Sequence, residues 1–162
     1  GKLVGRYPAM LAPVQGVGRD LVGLLQPYLD PSGPGKADVA APKKLLAVSD
    51  GSTRGAAIRL AKAGETLAIT EGIETGLAVL EATGTPIWAA ISEGGMKAVE
   101  VPMEVRRVEL WGDSDESGVG QRAAEVAAQR FYAEGKQVLV LIPPVPGADW
   151  LDVFIRGKGA GA

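Results

Sequence analysis

The chain has 162 residues, of which 46% are hydrophobic and 22% charged, and it contains neither cysteine nor histidine. This composition supports a folded core and excludes disulfides, zinc fingers, iron–sulfur clusters, cysteine nucleophiles and Ser-His-Asp triads. A bound metal would therefore need oxygen ligands, which Mg²⁺, Mn²⁺ and Ca²⁺ prefer. No apolar run approaches the roughly 18 residues of a membrane span, and the first residues lack the order of a signal peptide. We therefore expect a cytoplasmic protein without a membrane partner.

The net charge of −2 conceals two halves of opposite sign. Residues 1–64 carry nine basic and four acidic residues, whereas residues 65–162 carry eight basic and fifteen acidic residues. A basic half beside an acidic half is typical of a protein that grips a polyanion and holds a cation. Two solvated surfaces of opposite charge would give the same pattern, so charge alone leaves both interpretations open.

Residues 1–64 predict a small β-rich lobe without a long amphipathic helix. We expect short strands at Tyr7–Val14, Asp20–Leu29, Lys36–Val39 and Ala56–Leu60. Pro-Ser-Gly-Pro-Gly at 31–35 predicts a turn, and Val39–Gly55 predicts a loop that exposes basic residues.

From residue 65 to residue 156, strands and helices alternate. The predicted strands are Thr66–Thr70, Pro86–Ile91, Val105–Trp111 and Lys136–Ile142, and the last reads as a strand covered on both faces. The predicted helices are Glu74–Ala82, Gly94–Val99, Gly118–Glu134 and Trp150–Ile155. The stripes that should face the sheet are Ile73, Leu77 and Leu80, and Val119, Ala123, Val126, Ala127 and Phe131. This order predicts an α/β fold with a four-stranded parallel sheet flanked by helices, followed by a flexible tail at 157–162.

Acidic residues follow three of the predicted strands. They are Glu71, the pair Asp113 and Asp115, and the pair Asp149 and Asp152. Because ligands bind beyond the carboxyl ends of parallel strands, these side chains should meet at one edge of the sheet. Carboxylates brought together there would repel one another unless a divalent cation neutralised them.

Each of these residues also has a purely structural interpretation. Glu71, Asp149 and Asp152 could cap the helices that follow them. Asp113–Gly118 also resembles the start of a calcium-binding hand, but that loop needs a glutamate at its twelfth position, which is Ala124 here. We therefore exclude the calcium hand and leave helix capping open.

Glycines and cations surround the predicted edge. Gly72 and Gly118 permit tight turns and leave room for a phosphate beside the backbone. Lys97 and Arg122 lie near the same edge and could contact phosphate, although both could be ordinary solvated residues. Trp88 and Trp111 lie in apolar strands and should be core residues. Trp150 lies between acids and could be either a core residue or a residue that stacks on a base.

The acidic motifs resemble those of a known family. Glu71-Gly72, followed about forty residues later by Asp113-x-Asp115-x-x-Gly118, is similar to the Toprim signature of topoisomerases, bacterial-type primases and some nucleases. The segments LAITEGIETGLAVLEATGTPIWAAISEGG, VELWGDSDESGVGQRAAEVAAQRF and PVPGADWLDVF resemble the Toprim primases of phages, plasmids and mobile elements more closely. The leader from Tyr7 onward, with DLVGLLQPYLDPSGPGKA and PKKLLAVSDG, resembles the segment that precedes Toprim in those proteins, so the likeness extends to Ile155.

The resemblance implies a role for each acid. Glu71 would be a general acid/base or a metal ligand, and Asp113 and Asp115 would hold Mg²⁺ or Mn²⁺. Asp149 and Asp152 would complete the shell or serve a second ion.

The sequence also departs from the cellular replicative primases. Those enzymes have an aspartate four residues after the motif glutamate, and here that position is Thr75. They also carry a zinc-binding module, which a chain without cysteine cannot contain.

The resemblance implies three functions, which the sequence does not separate. The first is the catalytic core of a DNA primase, which joins NTPs on a single-stranded DNA template and works with a helicase domain or protein. In that enzyme the leader residues Lys43, Lys44, Arg54 and Arg59 would contact phosphates. The second is a metal-dependent Toprim nuclease, and the third is a non-catalytic nucleic-acid-binding module.

Overall fold

The computed structural model describes residues 5–33, 35–115 and 117–159, and it contains two β-sheets and four helices within those ranges. The strands are β1 (Ala12–Gln15), β2 (Leu21–Pro27), β3 (Lys43–Ala47), β4 (Ile58–Arg59), β5 (Thr66–Thr70), β6 (Ile87–Ala89), β7 (Arg107–Trp111) and β8 (Gln137–Leu141). The helices are α1 (Ile73–Thr83), α2 (Glu93–Ala98), α3 (Val119–Ala133) and α4 (Trp150–Gly159). None of these helices is long and apolar enough to cross a membrane.

The smaller sheet is antiparallel, with the strand order β1-β2-β3. Strand β3 lies inside the segment Val39–Gly55, so the prediction of a loop there was wrong. The run Lys-Lys-Leu-Leu-Ala has no alternating pattern, and it is extended because its backbone pairs with β2 from Gly23 to Pro27. The predicted strand Lys36–Val39 was also wrong, because it is reduced to one bridge between Lys36 and Leu29.

The larger sheet has the strand order β4-β6-β5-β7-β8. The strands β6, β5, β7 and β8 are parallel to one another, which confirms the predicted four-stranded parallel sheet with flanking helices. Strand β4 lies inside the predicted strand Ala56–Leu60, but it forms an antiparallel edge of the larger sheet instead of belonging to the N-terminal lobe as expected. Because β4 comes from the first 64 residues, the division into domains 1–64 and 65–156 stays a prediction. Helix α4 reaches Gly159, inside the predicted tail 157–162, and the rest of that tail lies outside the described residues.

The main core lies between the larger sheet and its helices. Leu67, Ile69, Val108, Leu110 and Phe131 are fully buried in it. Trp88 and Trp111 are buried as predicted. Strand β5, in the middle of the sheet, is buried from Leu67 to Thr70, as expected for a parallel strand covered on both faces.

Three predictions about buried faces were wrong. Leu77 of α1 is 46% exposed and Val126 of α3 is 48% exposed, because the helices pack on the sheet through smaller residues. Gly76 in α1 and Ala124 in α3 occupy those contact positions and are buried. Strand β8 ends the sheet instead of lying inside it, so Leu139 remains 39% exposed.

Helix α2 approaches the end of β6 closely at Gly95, and a substitution there tests this packing. A Cβ at Gly95 would lie 1.8 Å from the carbonyl oxygen of Ala90, whereas a Cβ at neighbouring Gly94 would meet nothing nearer than 3.9 Å. We expect Gly95→Ala to lower the free energy of unfolding by about 3 kcal/mol or more, because backbone must move. Gly94→Ala should stay within about 1 kcal/mol of the wild type. Urea denaturation measures both, and equal stability of the two variants would contradict this packing.

Candidate metal centre

The carboxyl ends of β5, β7 and β8 bring their acidic loops to one edge of the sheet. Thr70 pairs with Trp111, and Trp111 pairs with Leu141, so the three strands end at the same level. Glu71 follows the first strand, Asp113 the second, and Asp149 the loop after the third. Glu71, Asp149 and Asp115 all act electrostatically on Asp113, as expected for groups that share this edge.

Asp113 is the carboxyl at this edge whose pKa is raised most. Burial, and then the negative charges of Glu71, Asp149 and Asp115, raise the pKa of Asp113 to about 6. Its Oδ1 atom is buried and has no hydrogen-bond partner in the described part of the chain. A buried carboxylate oxygen without a donor is unfavourable, and a cation would satisfy it.

Glu71 is half-buried and lies near the start of α2. Burial raises the pKa of Glu71, the Lys43 ammonium opposes that rise, and the charges of Glu93 and Asp115 add to it. The backbone N–H of Glu93, the first residue of α2, lowers the pKa slightly. The proton affinity of Glu71 therefore exceeds that of a solvated glutamate.

Both carboxylate oxygens of Asp115 accept hydrogen bonds from residues at or just before the start of α3. Its Oδ1 accepts hydrogen bonds from the Ser117 hydroxyl and from Val119 N–H at 3.1 Å, and its Oδ2 accepts one from Gly120 N–H at 2.6 Å. These bonds hold the pKa of Asp115 well below its usual range. The helix-capping interpretation therefore applies to Asp115, a position where the sequence reasoning considered only a metal.

Asp149 and Asp152 lie at the start of α4. Asp149 Oδ1 accepts the Asp152 backbone N–H at 2.8 Å, which is the capping arrangement left open above. Asp152 is exposed in the first turn of the helix and is not among the charges that shift the pKa of Asp113. Asp149 thus belongs to the charged edge, whereas Asp152 lies at its outer side.

Carboxylate oxygens are suitable ligands for a divalent cation, but the described acidic side chains at this edge lie too far apart to share one as they stand. Within the described residues, no group of three acidic side chains is close enough to hold an ion as it stands. The oxygen of Asp113 that lacks a donor, and the mutual repulsion of the acids, are what a hard cation relieves. Gly118 has φ 70°, so a side chain would be strained there. Gly72, in contrast, is extended at φ −103° and does not need to be glycine for that reason.

The loop that carries Asp149 is fastened to the end of β7. Gly147 N–H donates to the Ser114 carbonyl, Ser114 N–H donates to the Ala148 carbonyl at 3.3 Å, and Trp150 Nε1–H donates to the Gly112 carbonyl at 3.1 Å. The Trp150 ring also meets Trp111 edge-on, at 4.7 Å between centroids. Trp150 is therefore a packing residue that positions its neighbour Asp149.

Some of the lysines and arginines predicted to bind phosphate already have partners within the chain, and others are exposed. Lys43 and Lys44 are exposed on β3, and Lys43 is close enough to lower the pKa of Glu71. Lys97 is paired with Glu93. Arg122 donates to the Ser117 carbonyl at 2.9 Å, near the acidic edge. Their binding of phosphate stays a prediction.

Arg54 and Arg59 lie in different surroundings. Arg54 borders a cavity of about 410 Å³ between the smaller sheet and the start of α2, beside Ser92 and Gly95. Arg59 pairs through its backbone with Trp88 of β6, and its guanidinium donates to the Gly16 carbonyl at 2.6 Å. Arg54 is therefore placed near the acidic edge, whereas Arg59 joins the two sheets.

The sequence reasoning missed two residues at this edge. Lys36 forms a 3.0 Å ion pair with Glu74, which ties the N-terminal lobe to α1. Glu93 contributes its backbone N–H to Glu71. The serine before Glu93 is a helix N-cap, which predicts where α2 begins. No sequence signal predicts the pairing of Lys36, because its partner is distant in the chain.

Comparison with known families and structures identifies the fold. The family model of the Toprim domain matches residues 66–160, which is more than half of the chain, and a model described as a domain of unknown function (DUF7146) matches residues 1–60. No curated protein matches the sequence.

Several solved primase structures are similar in fold. A DNA primase domain from Pseudomonas aeruginosa aligns with TM-score 0.62 and 18% identity over 93% of this chain and 47% of that one. A structure of the DnaG catalytic core aligns with TM-score 0.62 and 17% identity, covering 95% and 50% of the two chains. The RNA polymerase domain of Mycobacterium tuberculosis primase DnaG, in complex with double-stranded DNA, aligns with TM-score 0.57 and 16% identity over 91% and 49%. This chain thus spans about half the length of these structures and shares their fold.

The raised pKa of Asp113 predicts a pH-dependent stability in metal-free protein. Between its ordinary value of 3.8 and about 6, the native state holds a proton that the unfolded chain has lost. The free energy of unfolding should therefore fall as the pH rises through this range and remain lower above it. Asp113→Asn should remove this fall and be about 1 kcal/mol more stable than wild type at neutral pH, after allowance for solvent screening.

Denaturation in EDTA across this pH range measures the effect, and Asp115→Asn is the matched control. Because hydrogen bonds lower the pKa of Asp115, that variant should be less stable than wild type at neutral pH. A destabilising Asp113→Asn substitution at neutral pH would contradict the repulsion among the acids.

The fastening of the Asp149 loop is tested by Trp150→Phe, which keeps a ring but removes the bond to Gly112. We expect the amides of Gly147 and Ala148 to exchange with deuterium about fivefold faster, since one hydrogen bond contributes roughly 1 kcal/mol. Trp88→Phe is the control, because it removes an equivalent bond from Trp88 Nε1 to the Ala61 carbonyl. Unchanged exchange at Gly147 and Ala148 in Trp150→Phe would show that the indole does not hold this loop.

Proposed function

The chain belongs to the Toprim domain family, and from this premise we propose that it is the catalytic core of a cytoplasmic DNA primase. It would join NTPs into an RNA primer on a single-stranded DNA template with Mg²⁺ or Mn²⁺. The observation that carries the proposal is the Asp113 Oδ1 atom, buried without a donor among the charges of Glu71 and Asp149. The fold likeness to primase cores supports the choice of reaction.

The acids of the carboxyl edge would hold the metal. Asp113 and Glu71 would ligate it directly, and Asp149 would complete the shell, with Asp152 beside it. Asp115, whose oxygens accept bonds from the start of α3, would act mainly through its charge. A bound Mg²⁺ or Mn²⁺ supplies charge neutralisation at the triphosphate and lowers the pKa of the attacking hydroxyl.

As the alternative to ligating the metal, Glu71 would accept the proton of the primer 3′-hydroxyl. In that role its raised pKa, caused mainly by burial, makes it a better base than a solvated glutamate. Lys43 approaches Glu71 from the smaller sheet, and in this position it would also meet the phosphates of an incoming nucleotide. Proton transfer and phosphate binding would therefore occur on adjoining sides of the same carboxylate.

The remaining cations would guide the nucleic acid. Arg54, beside the 410 Å³ cavity, and Lys44 on the exposed strand β3 are placed to contact phosphates near the edge. Lys97 and Arg122 would contribute once their present partners, Glu93 and the Ser117 carbonyl, are exchanged for phosphate oxygens. By the sequence resemblance alone, the chain would act in the replication of a phage, plasmid or mobile element, with a helicase domain or protein as partner.

Primer synthesis tests this proposal. With Mg²⁺ or Mn²⁺, NTPs and single-stranded DNA, we expect Asp113→Asn to lower the yield by about 10²-fold or more, because the metal loses its buried ligand. Glu104→Gln, which removes an exposed acid elsewhere, should leave the yield unchanged.

Full primer synthesis by Asp113→Asn would contradict the assignment of Asp113 as a metal ligand. Metal-dependent cleavage of the DNA without NTPs, and no primer synthesis with them, would contradict the primase assignment and make the chain a Toprim nuclease. Binding of the DNA without turnover of either kind would support a non-catalytic module instead.

A further inference from the structure

A second charged site lies along β4, the edge strand of the larger sheet. A depression of about 420 Å³, here called the basic pocket, is lined by Gln15, Arg19, Arg59, Lys62 and Trp88. Arg59 of β4 pairs with Trp88 of β6, and the strands β5 and β7 follow in the sheet, so β4 lies about 10 Å from the strand that precedes Glu71 and about 14 Å from the strand that precedes Asp113. None of the residues that line the basic pocket belongs to the candidate metal centre.

Arg59 is a rigid cation in the wall of this pocket. Its Nη2 donates to the Gly16 and Val17 carbonyls at 2.6 and 3.2 Å, and its guanidinium carbon lies 4.3 Å from the centre of the Trp88 ring. Its Nε–H is buried and has no hydrogen-bond partner within the described residues. An arginine immobilised in this way loses little side-chain entropy when it binds a ligand.

Arg19 is held in a conformation that disfavours its side chain. It has φ 69° in the turn between β1 and β2, where its N–H donates to the Gly16 carbonyl at 3.0 Å. Glycine occupies positions 16 and 18 of this turn but not position 19, where a left-handed backbone would favour it most. Backbone strain at a non-glycine residue tends to mark a side chain that is needed.

The positive charge of the pocket is not neutralised internally. Within the described residues, Arg19, Arg59 and Lys62 form no ion pair. Arg19 acts on Arg59 as a like charge, and Asp20 is the acid that opposes it. The pocket therefore holds three cations around one concave surface, with Asp20 as the acid beside them. An anion bound there would relieve the repulsion among the three cations.

We propose that the basic pocket binds a phosphate group. Arginine and lysine suit phosphate oxygens, and the open, polar shape admits either a phosphodiester of a nucleic-acid strand or a free phosphate. The site does not depend on the proposed primase reaction, because it uses neither the acidic edge nor a metal.

The test uses Arg19→Gly combined with Lys62→Ala, in EDTA and without NTPs. One probe is a fluorescein-labelled oligo-dT, followed by anisotropy at several salt concentrations, and the other is inorganic phosphate, followed by amide chemical shifts around Gly16. We expect the variant to bind oligo-dT about five- to tenfold more weakly, with a salt slope lower by about 1 to 2, and to lose the phosphate-induced shifts. Arg106→Ala with Arg107→Ala removes the same charge from a surface outside the pocket, and it should retain both responses.

The two probes separate the sources of phosphate. Loss of both responses supports a nucleic-acid strand, and loss of the inorganic phosphate response alone supports a small phosphate ligand. If both responses of the variant equal those of the control, the proposal is overturned. Arg19→Gly alone should have an unchanged or higher melting temperature, since glycine relieves the strain at φ 69°. A lower melting temperature would show that Arg19 is a structural residue and would also overturn the proposal.

Discussion

Mutual repulsion among carboxylates at one edge of a parallel sheet is the constraint around which this molecule is arranged. Strands β5, β7 and β8 end in register, so the loops that carry the acids leave the sheet side by side. Burial and the neighbouring charges act together on Asp113, whose Oδ1 atom has no hydrogen-bond partner in the described part of the chain. Strongly perturbed groups of this kind cluster at functional sites, which is why this edge is the candidate metal centre.

Two acids at this edge also bond to the starts of helices, so helix capping is compatible with a place in the candidate metal centre. Asp115 begins α3 and Asp149 begins α4, and each carboxylate is oriented by backbone N–H groups. Those bonds fix the positions of two negative charges beside Asp113. The caps therefore build the electrostatic field of the site, while Asp113 keeps the oxygen that remains free to bind.

The first 64 residues supply cations to two places on the larger sheet. At the acidic edge, Lys36 pairs with Glu74, and Lys43 is close enough to lower the pKa of Glu71. Along the edge strand β4, Arg59 ties the β1–β2 turn to Trp88. The opposite charges of the two halves of the sequence are thus partly an interface between lobes, and the cations left unpaired lie where a polyanion could run along the surface.

The sequence by itself determined the alternation of strands and helices after residue 64, the acids at the strand ends and the family, because these depend on local pattern and motif. It could not reveal β3, whose strand comes from pairing with distant β2, nor the edge position of β8 or the exposure of Leu77. Only the tertiary structure decided which acid keeps a free oxygen. Asp115 and Asp149 accept bonds from residues three to five positions along the chain, whereas the burial of Asp113 Oδ1 and the charges around it come from loops that follow distant strands.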